Sequence, residues 1–225
     1  MLTTLNTTDI EIDRNAVCRY IGYTDGVEPS PRISSLLDEY IENAMHLIEP
    51  SYAYLFKGID DANEDVAFLE DSIVFEGTVV GRLAQQSEKI AIFVLTIGDR
   101  LEEMAAKLAN DGMIVESYVL DAIGSSAVEN LAEFVQGVIG EVAYHYGHSI
   151  SRRFSPGYCD WHISQQEMLF RAIDGNESSV MLSEGYLMTP QKSISGIIGI
   201  GKRDCGITKY NPCKTCERRN CVGRR

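Results

Sequence analysis

Long apolar runs are missing from this chain: none of its 225 residues belongs to a stretch of the ~18 apolar positions that a bilayer-spanning helix needs. The opening residues, MLTTLNTTDIEID, have neither the basic start nor the apolar stretch of a secretory leader, so a cytoplasmic location is expected. Positive charge is scarce. Twenty Lys and Arg face 33 Asp and Glu, and the net charge of −13 argues against broad nucleic-acid binding and against an anionic membrane surface. No Gly-x-Ser-x-Gly elbow occurs, and no nucleophile stands with a paired base. The glycines of "GIIGIG" (196–201) break the Gly-x-Gly-x-x-Gly order, and no helix is expected after them. A dinucleotide fingerprint is therefore excluded, in favour of a glycine-rich strand that allows close packing.

What is present is the composition of an ordinary globular chain, 44% hydrophobic and 24% charged, long enough for one substantial core. The charge is unevenly placed. Residues 201–225 carry +6 and the preceding 200 residues −19, and four of the six cysteines lie in that basic tail. The expected organisation is an acidic domain over 1–200 and a basic, Cys-rich, metal-binding extension over 201–225.

The pattern along the chain mixes strands and helices without a regular βαβ repeat. "DIEIDRNAVCRYIGY" has enough alternation for an opening strand. Ile33, Leu36, Leu37, Tyr40, Ile41, Ala44 and Leu47 predict a helix that starts near Pro31. "SYAYLFKGI" and "KIAIFVLTIG" read as strands, the second apolar on both faces and hence central. "GTVVGRLAQQSE" between them reads as a short helix. Asp99 is a candidate cap for a helix over "GDRLEEMAAKLAN". The longest element is a helix over 113–146, with Val119, Ile123, Ala127, Leu131, Phe134, Val138 and Val142 as its core seam. Gly124 on that helix marks a close contact. A helix around "SQQEMLFRAI" and two strands, "SVMLSEGYLMTP" and "SISGIIGIG", joined at Pro190, complete the reading. The expected fold is α+β: a single domain with a largely antiparallel twisted sheet and flanking helices.

Three places carry candidate chemistry. In "RRFSPGYCDWH" (152–162), Pro156 and Gly157 permit a tight turn that exposes backbone polar groups, and Arg153 can grip a carboxylate through two parallel hydrogen bonds. Tyr158 can lay an apolar face against a ring or thioether. Such parts suit an amino-acid-bearing nucleoside. The adjoining Asp160, Trp161 and His162 resemble a corrinoid-ligating Asp-x-His-x-x-Gly element, but Gln165 stands where the glycine is required, so corrinoid binding by this chain itself is not expected. His145 and His148 suit the end of a long helix better than a metal. In the tail, Cys205, Cys213, Cys216 and Cys221 give C-x7-C-x2-C-x4-C. Four thiols so close together in a cytosolic chain point to metal more than to disulfides. An iron–sulfur cluster, a structural zinc, and disulfides or unmodified thiols all stay open, because the spacing matches neither the ferredoxin run nor the paired C-x2-C of a zinc ribbon.

Arg153-Phe-Ser-Pro-Gly-Tyr158 resembles the Arg-Pro-Ala-Pro-Gly-Tyr signature of the activation domain of cobalamin-dependent methionine synthase. "MLSEGYLMTPQKSISGIIG" (181–199) resembles that domain's second signature, at a similar distance. The likeness covers about 50 residues well. It implies a single α+β unit that binds S-adenosylmethionine (AdoMet) and docks on a corrinoid domain, whose oxidised cobalt is reduced and then methylated. By the same resemblance Arg153 would hold the ligand carboxylate, with Pro156, Gly157 and Tyr158 around it. Glu184 would favour the sulfonium or ammonium, and Tyr210 would replace the tyrosines that close over the ligand. Because the reduced corrinoid is itself the nucleophile, the protein need only place the methyl carbon and exclude water. The expected function is reductive methylation of a separate cob(II)alamin-carrying partner, with the cysteine tail, which is foreign to that family, supporting electron delivery. The alternative is a non-catalytic adaptor of the same fold that docks on a corrinoid protein through a zinc-stabilised tail.

Overall fold

The computed structural model describes the backbone of residues 3–4 and residues 10–24, 26–173 and 179–214. Its strands are β1 (Thr3–Thr4), β2 (Ser51–Ala62), β3 (Val66–Leu69), β4 (Ile73–Glu76), β5 (Lys89–Thr96), β6 (His148–Phe154), β7 (Met181–Leu182), β8 (Met188–Thr189) and β9 (Ser193–Lys202). Its helices are α1 (Arg14–Tyr20), α2 (Pro31–Ala44), α3 (Thr78–Ala84), α4 (Arg100–Asn110), α5 (Ile114–His145) and α6 (Gln166–Ile173). The main sheet runs β4-β3-β2-β5-β9-β6, antiparallel throughout, with β1 added to β2; β7 and β8 form a separate hairpin. The α+β expectation with a largely antiparallel sheet holds.

The alternation of β5 explains the layering. Ala91, Phe93 and Leu95 face a core built with α1, α2, α4 and α5. Ile90, Ile92 and Val94 face a second core built with β3, β4, α3 and α6. Successive strand side chains point to opposite faces, so a strand buried on both sides must be apolar at every position. The long helix lies over the first face. Val119, Ile123, Ala127 and Leu131 are buried as expected, but further on the buried positions are Val135, Ile139 and Ala143 rather than Phe134, Val138 and Val142. A straight helix has 3.6 residues per turn, so its buried stripe drifts around the axis over 32 residues. Gly124 does mark a close contact: a Cβ there would lie 2.7 Å from Leu101 Cδ2.

Other expectations are corrected. The opening segment is the helix α1, not a strand: the Asp13 side chain caps it by accepting from Asn15 N at 2.8 Å, and Val17 and Cys18 are buried. Asp99 sits at the cap position just before α4 but makes no side-chain cap hydrogen bond, its backbone being already near-helical. "SVMLSEGYLMTP" is not one strand. It folds back as the β7–β8 hairpin, with Tyr186 at φ 60° and the Ser183 hydroxyl accepting from Leu187 N at 3.0 Å. The β3–β4 hairpin was not foreseen, although its burial alternates residue by residue. No helix among the described residues is long and apolar enough to cross a membrane.

Candidate functional site

Arg152 and Arg153 lie on β6, not in a loop, and an irregularity in that strand decides where they reach. Ile150 pairs with Ile200 and Arg153 with Ile198, so β6 holds one residue more than β9 between the two pairs. Such a bulge leaves backbone groups unpaired and re-aims side chains. Ser151 repairs the gap: its hydroxyl accepts from Gly199 N at 2.9 Å and donates to the Arg152 carbonyl at 2.7 Å. Strict alternation would put neighbouring arginines on opposite faces. Here both line one cleft of about 900 Å³ between α5, β6, the start of β9 and the Pro156 loop. That volume falls within the roughly 300–1,000 Å³ common for small-molecule sites.

The cleft has an apolar floor with charged side chains of both signs on its walls. Arg153, with its side chain 13% exposed, is ion-paired at 3.3 Å with Glu129 of α5. Glu133, one turn further along α5, lines the same wall. Gln166, 3% exposed, and Ser195, 2% exposed, add buried polar groups to the lining. Of the residues nominated from sequence, Arg153, Pro156 and Tyr158 line the cleft, with Gly157 between the last two. Gly157 has φ 92°, which a side chain would strain. Glu184 and Tyr210 do not line it. Glu184 is exposed on the β7–β8 turn. Tyr210 packs on Phe154, ring centroids 5.5 Å apart, and donates to the Val79 carbonyl at 2.8 Å. Burial pushes its phenol up to about 12, so it is a neutral donor at physiological pH. Sequence reasoning missed Glu129, Glu133 and Gln166. The available signal was a pair of carboxylates four residues apart in a helix otherwise read for its apolar stripe.

The "CDWH" segment is scaffold. Asp160 caps α3 from 82 positions away: its carboxylate accepts from Thr78 N and, at 3.1 Å, from Val79 N. The residue that occupies the cap position locally is Gly77, which has no side chain to offer. A Cβ at Gly77 would lie 3.3 Å from the Asp160 carbonyl, so glycine also admits the loop. Trp161 is 1% exposed and packs edge-on against Phe75, centroids 5.4 Å apart. His162 caps the turn Ile163–Gln165. His148 pairs with Glu88 at 2.8 Å, while His145 bonds the Glu141 carbonyl, so the two histidines have separate partners.

Burial alone would raise the Asp160 carboxyl, but the hydrogen bonds from Thr78 and Val79 together outweigh it and hold it below its ordinary value of 3.8. The sign follows: its stabilisation is complete above that ordinary value and is lost as pH falls through the depressed one. Asp160→Ala is expected to cost about 1 kcal/mol at neutral pH, in the range for a lost helix cap, and to flatten the acid limb of a stability-versus-pH profile. Urea unfolding at several pH values reads both effects; an unchanged acid limb would assign that slope elsewhere.

The tail's described thiols are separated in their surroundings. Cys205 Sγ contacts the Gln86 carbonyl at 3.5 Å, whereas Cys213 lines the cleft. Cys216 and Cys221 lie outside the described residues. Among the described residues no three His, Cys, Asp or Glu side chains form a metal-binding group.

An antiparallel sheet covered by one long helix, with a mixed-charge cleft at the bulged edge strand, defines an α+β domain with a cleft of small-molecule size. Residues 69–205 match the family model for the vitamin B12 dependent methionine synthase activation domain, and the chain belongs to that family. Among solved structures it is similar to the MetH reactivation domain bound to AdoHcy, with a TM-score of 0.66 and 12% identity over 88% of this chain and 77% of that one. At that identity the likeness concerns the fold. No curated protein matches the chain.

Proposed function

We propose that the cleft binds AdoMet and its demethylated product, and that the protein presents the methyl donor to a separate cobalamin-carrying partner for reductive reactivation. The observation that carries this reading is the charge layout. Two arginines on the bulged β6 and two carboxylates on α5 line one cleft, with Arg153 and Glu129 ion-paired at 3.3 Å. A zwitterionic amino-acid moiety needs that pair of opposite partners.

The residues fit the group. Arg153 and Arg152 would take the carboxylate, and Glu129 and Glu133 the ammonium or sulfonium, in place of Glu184. Tyr158, 60% exposed at the lip, would cover the ligand. The Gln166 side chain is buried at the cleft wall, a polar group within reach of a bound ligand. AdoMet, when bound, supplies an electrophilic methyl group. The protein's share is to orient it and exclude water, which needs no catalytic base. Residues 1–200 would form this binding domain and 201–225 its basic extension. The acidic domain and basic tail also suit the adaptor reading, in which the tail docks on an acidic partner.

Calorimetric titration of AdoMet into wild type and Arg153→Ala tests the reading. Saturable wild-type binding should weaken on the order of 30- to 100-fold in the variant, as for a lost charged hydrogen-bond pair. Because Arg153 is ion-paired with Glu129, a thermal melt and Arg153→Lys accompany it. A folded wild type that binds neither AdoMet nor its product ends the proposal and favours the adaptor.

A further inference from the structure

Strand β6 reverses its faces part-way along. Ile150 packs against the core that α5 covers, whereas Phe154 packs against the opposite core, built with α3 and α6. Residues four apart on a regular strand share a face, so the phase has inverted between these two. The pairing with β9 locates the change. Ile200 and Ile198 belong to the α5-side core and pair with Ile150 and Arg153, while Ile197 belongs to the other core and pairs with Phe154. Between those pairs, Ser151 and Arg152 together stand opposite Gly199 alone. A register without the extra residue would pair Arg153 with Ile197 and turn it toward α3 and α6, because a one-residue slip moves each following side chain to the other face. The bulge is therefore what puts Arg153 on the α5 side, 3.3 Å from Glu129.

We propose that Ser151 is a positioning residue: its hydroxyl pins the bulge and thereby aims the Arg153 guanidinium at the carboxylate of an amino-acid-bearing ligand. Ser151 is 2% exposed and does not itself line the cleft. Its hydroxyl accepts from Gly199 N at 2.9 Å and donates to the Arg152 carbonyl at 2.7 Å, so it ties the two strands together at the bulge itself. A bulge interrupts the ladder that would otherwise pair such backbone groups, and a buried N–H left without a partner is costly. One side chain thus satisfies a group on each strand and fixes the backbone from which Arg153 projects. The aim at a ligand carboxylate rests on the AdoMet reading. The hold on Arg153 does not.

Two readouts on the full chain test this, with circular dichroism to show that each variant is folded. The first needs no ligand. The Arg153 Nε–H signal in heteronuclear NMR, assigned with Arg153→Lys, should shift in Ser151→Ala. It should stay in place in the control Ser117→Ala, which removes a hydroxyl bonded to the Ala105 carbonyl between α4 and α5. The second readout is calorimetric titration of AdoHcy and of methylthioadenosine, which keeps the nucleoside and thioether but has no amino-acid group. Ser151→Ala should weaken AdoHcy roughly tenfold, the worth of one charge-assisted hydrogen bond, and leave methylthioadenosine within about twofold. An Arg153 signal that does not move in Ser151→Ala, unchanged AdoHcy affinity, or equal weakening of both ligands would each overturn the role. A wild type that binds neither ligand ends the AdoMet reading instead, and the Arg153 signal then decides the positioning by itself.

Discussion

Trp161→Ala is expected to lower the unfolding free energy by about 3–5 kcal/mol, the range for removing a large aromatic from a packed core. Trp161 is 1% exposed and meets Phe75, itself fully buried. It is also the anchor of the cleft's loop. Its N–H donates to the Tyr158 carbonyl and its carbonyl accepts from Gly157 N. Truncation therefore loosens the segment that holds Tyr158 and Cys159 in the cleft, and ligand affinity should fall even at temperatures where the variant remains folded. Trp161→Phe separates the two effects. The indole Nε1–H is buried without a hydrogen-bond partner among the described residues, so phenylalanine removes an unsatisfied donor along with some volume. It should cost far less. Chemical denaturation with parallel ligand titration checks both; a loss below 1 kcal/mol for the alanine variant would mean that the loop is not seated through this ring.

The second large effect is expected at Gly196 on β9. A Cβ there would lie 2.4 Å from the Phe154 carbonyl and 3.1 Å from Phe93 Cζ. The first obstacle is backbone and cannot rotate away, so Gly196→Ala must push β9 and the end of β6 apart. A cost of about 3 kcal/mol is expected, at the upper end for overpacking. The displaced atoms belong to Phe154 and Ser155, next to Arg153, so the binding of any carboxylate ligand should weaken in step. Gly137 serves as the control. It lies within α5 with no atom within 4 Å of an added Cβ, and alanine there should stabilise by up to about 1 kcal/mol. Thermal melts of the two variants should move in opposite directions. Equal melts would remove the steric argument.

These two sites divide what is local from what is not. The glycines of 196–201 were legible as a close-packing strand because glycine's one structural asset beyond its backbone freedom is a missing side chain. Gly196, Gly199 and Gly201 each prove crowded. The central strand β5, the long helix α5 and the starting proline of α2 were legible for a related reason: periodicity and caps are properties of neighbouring residues. The first-strand expectation failed where a brief alternation competed with an Asp13 cap, and the β3–β4 hairpin was passed over because four-residue strands carry little period to read.

The site was legible only in part. A Pro-Gly turn beside an arginine is a local signal, and the two signature blocks marked the right segments. The sequence by itself thus determined the α+β class, the central strand, the long helix and the arginine-bearing segment. The bulge that turns both Arg152 and Arg153 into one cleft, the carboxylates of α5 that line it with them, and the capping of α3 by Asp160 were decided by the tertiary structure. Each joins residues between 19 and 82 positions apart, and such an arrangement follows from how sheet and helices pack, which no window of neighbouring residues contains.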